Sequence, residues 1–150
     1  MKILVINGPN MNMLGIREPE VYGSRSYREL EDYIRGACSR LGIECDIMQS
    51  NHEGAIIDAI QEAYWTADGI VINPAGYTHT SIAIMDALKS VSIPAIEVHL
   101  SDIKGREEFR KISYTALACR ETIAGCGFEG YSLAIEKLKN IIEENKLLTD

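Results

Sequence analysis

Four places in the 150-residue chain concentrate small hydrogen-bonding side chains, and each directly follows a short apolar run. Asn7-Gly8-Pro9-Asn10 follows Ile3–Ile6, Gln49 to Gly54 follows Ile43–Met48, Asn73 to Ser81 follows Gly69–Ile72, and His99-Leu100-Ser101 follows Ala95–Val98. One such cluster means little, because turns are polar in any protein; four at equivalent places point to a site. Glu97 and His99 stand two residues apart, so on a regular strand both side chains leave by the same face. A carboxylate there can fix the tautomer of the imidazole, which can then protonate a leaving group. Taken alone, a histidine at a strand end is more often a structural hydrogen-bonder.

The segment from Gly8 to Arg25 is too long for an ordinary connection between a strand and a helix. It holds Gly8, Gly15 and Gly23 as possible hinges and carries Arg17 and Tyr22, so we expect a lid, mobile without ligand from about Met13 to Arg25. On its own Tyr22 also reads as a turn tyrosine packed on the surface.

The elements that must position these groups follow from periodicity. Leu30, Tyr33, Ile34, Ala37, Cys38 and Leu41 recur at helical spacing, and Ser26 with Glu29 forms a capping-box signature at their start. Ser50 and Glu53 repeat that signature before Ile56, Ile57, Ile60, Ala63 and Tyr64. A third helix is expected from Ser81 to Ser90, stopped by the Ile93-Pro94 step. The last spans about Tyr131 to Glu144, with Leu133, Leu138, Ile141 and Ile142 inward, after a fifth apolar run at Thr122–Cys126. Runs separated by helices read as βαβ units. The expected fold is α/β, a flavodoxin-like three-layer sandwich around a five-stranded parallel sheet of order 2-1-3-4-5, in a single catalytic domain over 1–150. In such a sheet ligands bind beyond the carboxyl ends of the strands, where the polar clusters fall.

Composition narrows the function. Hydrophobic residues at 46% and charged ones at 25% are an ordinary globular mixture. A net charge of −7 argues against a nucleic-acid surface, and an anionic substrate would need a locally positive pocket. The run Ile3–Ile6 is too short for a membrane span or a signal sequence. Cys38, Cys45, Cys119 and Cys126 form no CxxC pair, so reduced, mostly buried thiols in the cytoplasm are expected. No metal is expected, because His52, His79 and His99 match no ligand spacing. A flavin- or nucleotide-binding module is the alternative function, but no phosphate-cradling glycine motif stands at the first turn. A Schiff-base enzyme would need a desolvated lysine, and none of the seven lysines follows a core strand.

The string Gly8-Pro-Asn-Met-Asn-Met-Leu-Gly-Ile-Arg-Glu-Pro-Glu-Val-Tyr-Gly23 closely resembles the opening of type II 3-dehydroquinate dehydratases. So do Gln49-Ser-Asn-His-Glu-Gly54, Asn73-Pro-Ala-Gly-Tyr-Thr-His-Thr-Ser81, Glu97-Val-His-Leu-Ser101, Arg106-Glu-Glu-Phe-Arg110 and Ile123-Ala-Gly-Cys-Gly-Phe-Glu-Gly-Tyr131. These blocks stand in order and cover nearly the whole chain. The resemblance implies a cofactor-free lyase of the shikimate pathway that removes water from 3-dehydroquinate to give 3-dehydroshikimate, by anti elimination through an enolate. It implies Tyr22 as base, Arg17 beside it, His99 as acid held by Glu97, and Asn10 at the enolate oxygen through a water. It implies substrate contacts at Asn73, His79, Leu100, Ser101 and Arg110, and at Asp86 near a neighbouring subunit's site in a homododecamer of four trimers. Phenols have a reference pKa near 10, so a tyrosinate base needs its anion favoured by roughly 3–4 kcal/mol, a task a nearby guanidinium can perform. Three departures stand out. Asp102 replaces the family's usual Asn, Ala75-Gly76 inverts a common Gly-Ala order with no expected harm, and Arg120-Glu121 falls where small residues are more usual.

Overall fold

The computed structural model describes residues 1–149, and of Thr149 the backbone only. Strands β1 (Lys2–Asn7), β2 (Glu44–Gln49), β3 (Gly69–Asn73), β4 (Ala95–His99) and β5 (Glu121–Ala124) form one parallel sheet of order β2-β1-β3-β4-β5, as expected. Every residue of β3 and β4 is buried, which explains their unbroken apolar character: both faces are covered. Helices α2 (Tyr27–Arg40) and α5 (Glu129–Thr149) lay Leu30, Ile34, Ile135 and Leu138 against Ile3, Val5, Val71 and Val98. On the opposite face α3 (Glu53–Thr66) and α4 (Ile82–Val91) lay Ile56, Ile60, Ile84 and Leu88 against Ile6, Ile70 and Ile72. Each such side chain contributes about 1.5–3 kcal/mol when fully buried, so the two apolar layers fix the sheet and thereby the strand ends.

Local signals fared unequally. Ser26 and Glu29 form the expected capping box, and Ser81 caps α4 by accepting from the Ile84 N–H. Ser50 does not cap α3: its hydroxyl accepts from the His52 N–H at 3.0 Å inside the tight turn after β2, and His52 stands at the helix start without a side-chain cap. Strand β5 ends at Ala124 rather than Cys126, because Gly125 and Gly127 turn the chain with φ of 79° and 53°. Along α5, Leu138 and Ile142 are buried as expected, while Leu133 and Ile141 are only half-covered. The thiols are less buried than expected. Cys38 alone is fully so, its pKa pushed up to about 12 chiefly by burial, and Cys126 is exposed. Among the described residues no helix is long and apolar enough to cross a membrane.

Gly8 proves to be a packing residue rather than a hinge. A Cβ there would lie 2.4 Å from the Pro74 carbonyl oxygen, and its N–H donates to Asn73 O at 2.8 Å. Only glycine lets the chain leave β1 this close to the end of β3, and β1 and β3 flank the point where the strand order reverses.

Candidate active site

Beyond the carboxyl ends of β1, β3 and β4 lies a cavity of about 190 Å³. Of the residues singled out from the sequence, Asn10, Arg17, Tyr22, Asn73, His79, His99, Leu100, Ser101 and Arg110 line it. Glu97 lies directly behind His99, and Asp86 stands on the exposed face of α4, outside this chain's own cavity. His52, at the start of α3, is not part of the lining, and among the described residues neither is any lysine or any acidic residue. Within a chain of net charge −7, the cavity is thus walled by Arg17, Arg106 and Arg110. That is the local reversal of field an anionic ligand requires.

One wall is built on the strands. Glu97 is fully buried and accepts from His99 Nε2 at 2.6 Å, from the Ser113 hydroxyl at 2.8 Å, and from the Thr115 hydroxyl. Burial alone would raise the Glu97 carboxyl. The His99 hydrogen bond and charge, with the two hydroxyls, outweigh burial and hold it below the ordinary carboxylate value. An ionised carboxylate only accepts, so His99 Nε2 carries a proton toward Glu97 and Nδ1 faces the cavity, where the charged ring presents its second N–H. His79 shows the opposite tautomer: Nδ1 is 2.7 Å from the Ile112 carbonyl and must donate to it, leaving Nε2 free. Asn73, 3% exposed, donates to the Tyr131 hydroxyl at 3.1 Å and accepts from the Ala75 N–H at 3.1 Å. Tyr131 in turn donates to Asn7 Oδ1 at 2.6 Å, a buried relay under the cavity floor. Burial drives the Tyr131 phenol upward, so it stays neutral as a donor.

The facing wall is the long first loop. It folds as a short 3-10 turn at Met11–Met13 and a single helical turn, α1 (Pro19–Tyr22), preceded by Glu18 in the left-handed region. This brings Arg17 Nη2 to 3.5 Å from the Tyr22 oxygen, with the guanidinium carbon 5.0 Å from the ring centre. The closer cation had not been singled out. Arg106 Nη1 donates to the Tyr22 oxygen at 2.5 Å across 84 residues of sequence. No local pattern marks it; the one signal was its place at the head of the Arg106–Arg110 block. Glu107 braces this edge, its carboxylate 2.9 Å from Arg110 Nε but off the line of the N–H, a contact of charge rather than a hydrogen bond.

The departures acquire physical meanings. Asp102 turns its carboxylate to the Lys104 N–H at 2.9 Å, capping a 3-10 turn, and is not part of the cavity lining. Glu121 pairs with Lys137 of α5 at 2.5 Å, so an acidic residue at that exposed position is held by a charge partner. Ala75 sits at φ 53°, where a Cβ is strained and glycine is not, so the Ala-Gly order is not without cost.

Comparisons with known proteins agree with this architecture. The class II dehydroquinase family profile matches residues 1–139. The 3-dehydroquinate dehydratase of Clostridium acetobutylicum is 56% identical over 144 residues, covering 96% of this chain and all of the relative. The crystal structure of a type II dehydroquinase from Butyrivibrio crossotus superposes with a TM-score of 0.91 at 57% identity, over 93% of this chain and 97% of that one. A type II dehydroquinase from Propionibacterium acnes gives 0.87 at 39%, over 95% and 96%. The chain belongs to the class II dehydroquinase family.

Proposed function

We propose that this protein dehydrates 3-dehydroquinate to 3-dehydroshikimate, with Tyr22 as the base and His99 as the acid. The observation that carries the reading is one phenol oxygen within reach of two guanidiniums, on the wall facing a carboxylate-held imidazole. The phenolate of Tyr22 takes the proton next to the ketone. The electron pair moves into the carbonyl as an enolate, whose oxygen Asn10 steadies through a water. Collapse of the enolate expels the β-hydroxyl, which leaves as water with the Nδ1 proton of the His99 imidazolium, the ring ending neutral with its remaining proton held toward Glu97. The backbone and hydroxyl at Leu100 and Ser101 hold the carboxylate, Arg110 a ring hydroxyl, and Asn73 and His79 complete the fit. Nothing in this sequence of steps calls for a cofactor or a metal.

Closure of the segment from about Met13 to Arg25 delivers Arg17 and Tyr22 together and excludes water. We extend the reading to a cytoplasmic homododecamer of four trimers, with Asp86 serving a neighbouring site. In its support, Asp86 is exposed, as are Ile82 one turn before it, and Tyr64 and Trp65 stacked edge to face at 4.6 Å. Tyr77, by contrast, is half-covered and donates its hydroxyl to Asn51 O at 3.1 Å. Light scattering on dilution tests the assembly: a fully active monomer would refute it. The chemistry is tested by adding 3-dehydroquinate and following near-ultraviolet absorbance, which the enone product has and the starting ketone lacks. A steady rise is expected; no rise at any pH from about 6 to 9 would refute the reading.

A further inference from the structure

We propose that Ser113 and Thr115 are positioning residues for His99, and that the strap from Ile112 to Thr115 sets both cavity imidazoles at once. The geometry is closed on every side. Thr115 and Glu97 are both fully buried, and Thr115 donates its hydroxyl proton to Glu97 Oε2. The Ser113 oxygen lies 2.8 and 3.1 Å from the two carboxylate oxygens and accepts from the Ala116 N–H at 3.0 Å. With that lone pair taken, its proton is aimed at Glu97. The same strap accepts from His79 Nδ1 at Ile112 O, and the Tyr114 N–H donates to Thr78 O at 2.9 Å. None of Ser113, Tyr114 and Thr115 lines the cavity, so the strap acts through the histidines.

The physical consequence concerns charge. A buried carboxylate stays ionised only while its hydrogen-bond donors outweigh desolvation. The ionisable groups facing Glu97 are His99 on its own strand and the Cys119 thiol, which burial and then the Glu97 charge push upward. Ile72 of β3 and Thr122 of β5 flank it in the sheet, neither of them ionisable. Among the described groups only the hydroxyls and His99 therefore favour the anion. While Glu97 is ionised it accepts from Nε2 and supports the imidazolium that gives its Nδ1 proton to the leaving hydroxyl. Once Glu97 is protonated its own O–H donates to Nε2 and leaves a neutral ring with its one proton on Nδ1, a far weaker acid. Because the folded carboxyl is depressed, the arrangement holds above that lowered value and fails as pH falls through it. Removing the hydroxyls moves the failure to higher pH.

The proposal rests on His99 as the acid, and the test keeps the two apart. The ring nitrogens of nitrogen-15-labelled wild type, Ser113→Ala, Thr115→Ser and Ser113→Ala/Thr115→Val proteins would be followed by NMR against pH, beside kcat and KM for 3-dehydroquinate. Wild type is expected to show His99 protonated on Nε2 and His79 on Nδ1 at neutral pH. In the double variant the His99 change and the acid limb of kcat both move up by about two pH units, roughly one for each lost hydrogen bond to the charged group, with KM within about twofold. Ser113→Ala shifts less in the same direction, and Thr115→Ser follows wild type. If the double variant does not fold, the Ser113→Ala shift decides. Unmoved His99 signals with kcat lowered evenly at all pH would overturn the strap's role. A wild type inactive on 3-dehydroquinate would overturn only the dehydratase reading, since the ring signals are read without turnover.

Discussion

The two walls of the cavity are held by different physics. On the strand wall, Asn73, Glu97 and His99 lie at 3%, 0% and 5% exposure on two fully buried strands, Asn73 donating to the buried Tyr131 hydroxyl and His99 to Glu97. On the loop wall, Tyr22 closes a one-turn helix without a side-chain cap and Arg17 stands just before it, both half-exposed; the ring packs against the edge of the larger core, and two cations hold the phenol oxygen. The strand wall is built with the core. The loop wall is anchored by Met11 and Leu14 but presents its phenol oxygen to charge, which suits a group needed as an anion. Damage to the loop wall should therefore cost turnover and little stability, while damage beneath the strand wall should cost both.

The largest expected effect is on the loop wall. Tyr22→Phe is expected to lose on the order of 10²–10⁴ in kcat, the range for a general base, with binding of the product acid and thermal stability nearly unchanged. A melting point that fell with the activity would erase the distinction between the walls. Next, Arg106→Ala should cost roughly 10–10² in kcat, since hydrogen bonds to charged groups contribute about 1.5–3 kcal/mol. The pH at which activity reaches half its plateau should rise, because the phenolate has lost a stabilising charge. Arg17→Ala, whose nitrogen lies 3.5 Å from the oxygen against 2.5 Å for Arg106, should move the same profile less; equal or larger movement would reverse our ranking of the two cations.

Under the strand wall, Tyr131→Phe removes the shared partner of Asn7 and Asn73. About 1–3 kcal/mol of stability should go with it, measured by denaturant midpoint, and kcat should fall through the loosened Asn73. The smallest effect tests a detail of the same wall. Ala75→Gly relieves about 1–2 kcal/mol of left-handed strain but gives back about 0.4–1 kcal/mol through the more flexible unfolded chain. A net gain on the order of 0.5 kcal/mol, roughly 1–2 °C in melting temperature, is expected; a loss would mean that the Ala75 methyl, packed toward the larger core, outweighs its backbone strain.

The strand wall was also the more legible from sequence. Apolar runs alternating with helical spacing marked the strands of a parallel sheet and its helices, and two-residue spacing put Glu97 and His99 on one face, because both patterns are local. What escaped was non-local. Arg106 reaches Tyr22 across 84 residues, and Ser113 and Thr115 meet Glu97 across 16 and 18. Neither contact leaves a periodic trace, since each depends on how an irregular segment crosses the strand ends. Ser50 misled for a related reason: its hydroxyl satisfied the turn before the helix could use it. The glycines of the first loop looked alike in sequence, yet Gly8 is held by a close backbone approach while Gly15 and Gly23 take φ of 83° and 85°.

The division of labour between the walls is open to one direct measurement. In deuterium oxide, a base that works ahead of the acid should wash deuterium into the position next to the substrate ketone even when the hydroxyl cannot leave. Unreacted 3-dehydroquinate recovered from His99→Ala and from Tyr22→Phe would be weighed by mass spectrometry against an enzyme-free control. The account predicts a gain of one mass unit with His99→Ala and none above the control with Tyr22→Phe. Deuterium uptake by Tyr22→Phe as fast as by His99→Ala would contradict it, because the proton would then be taken by some group other than the phenol on the loop.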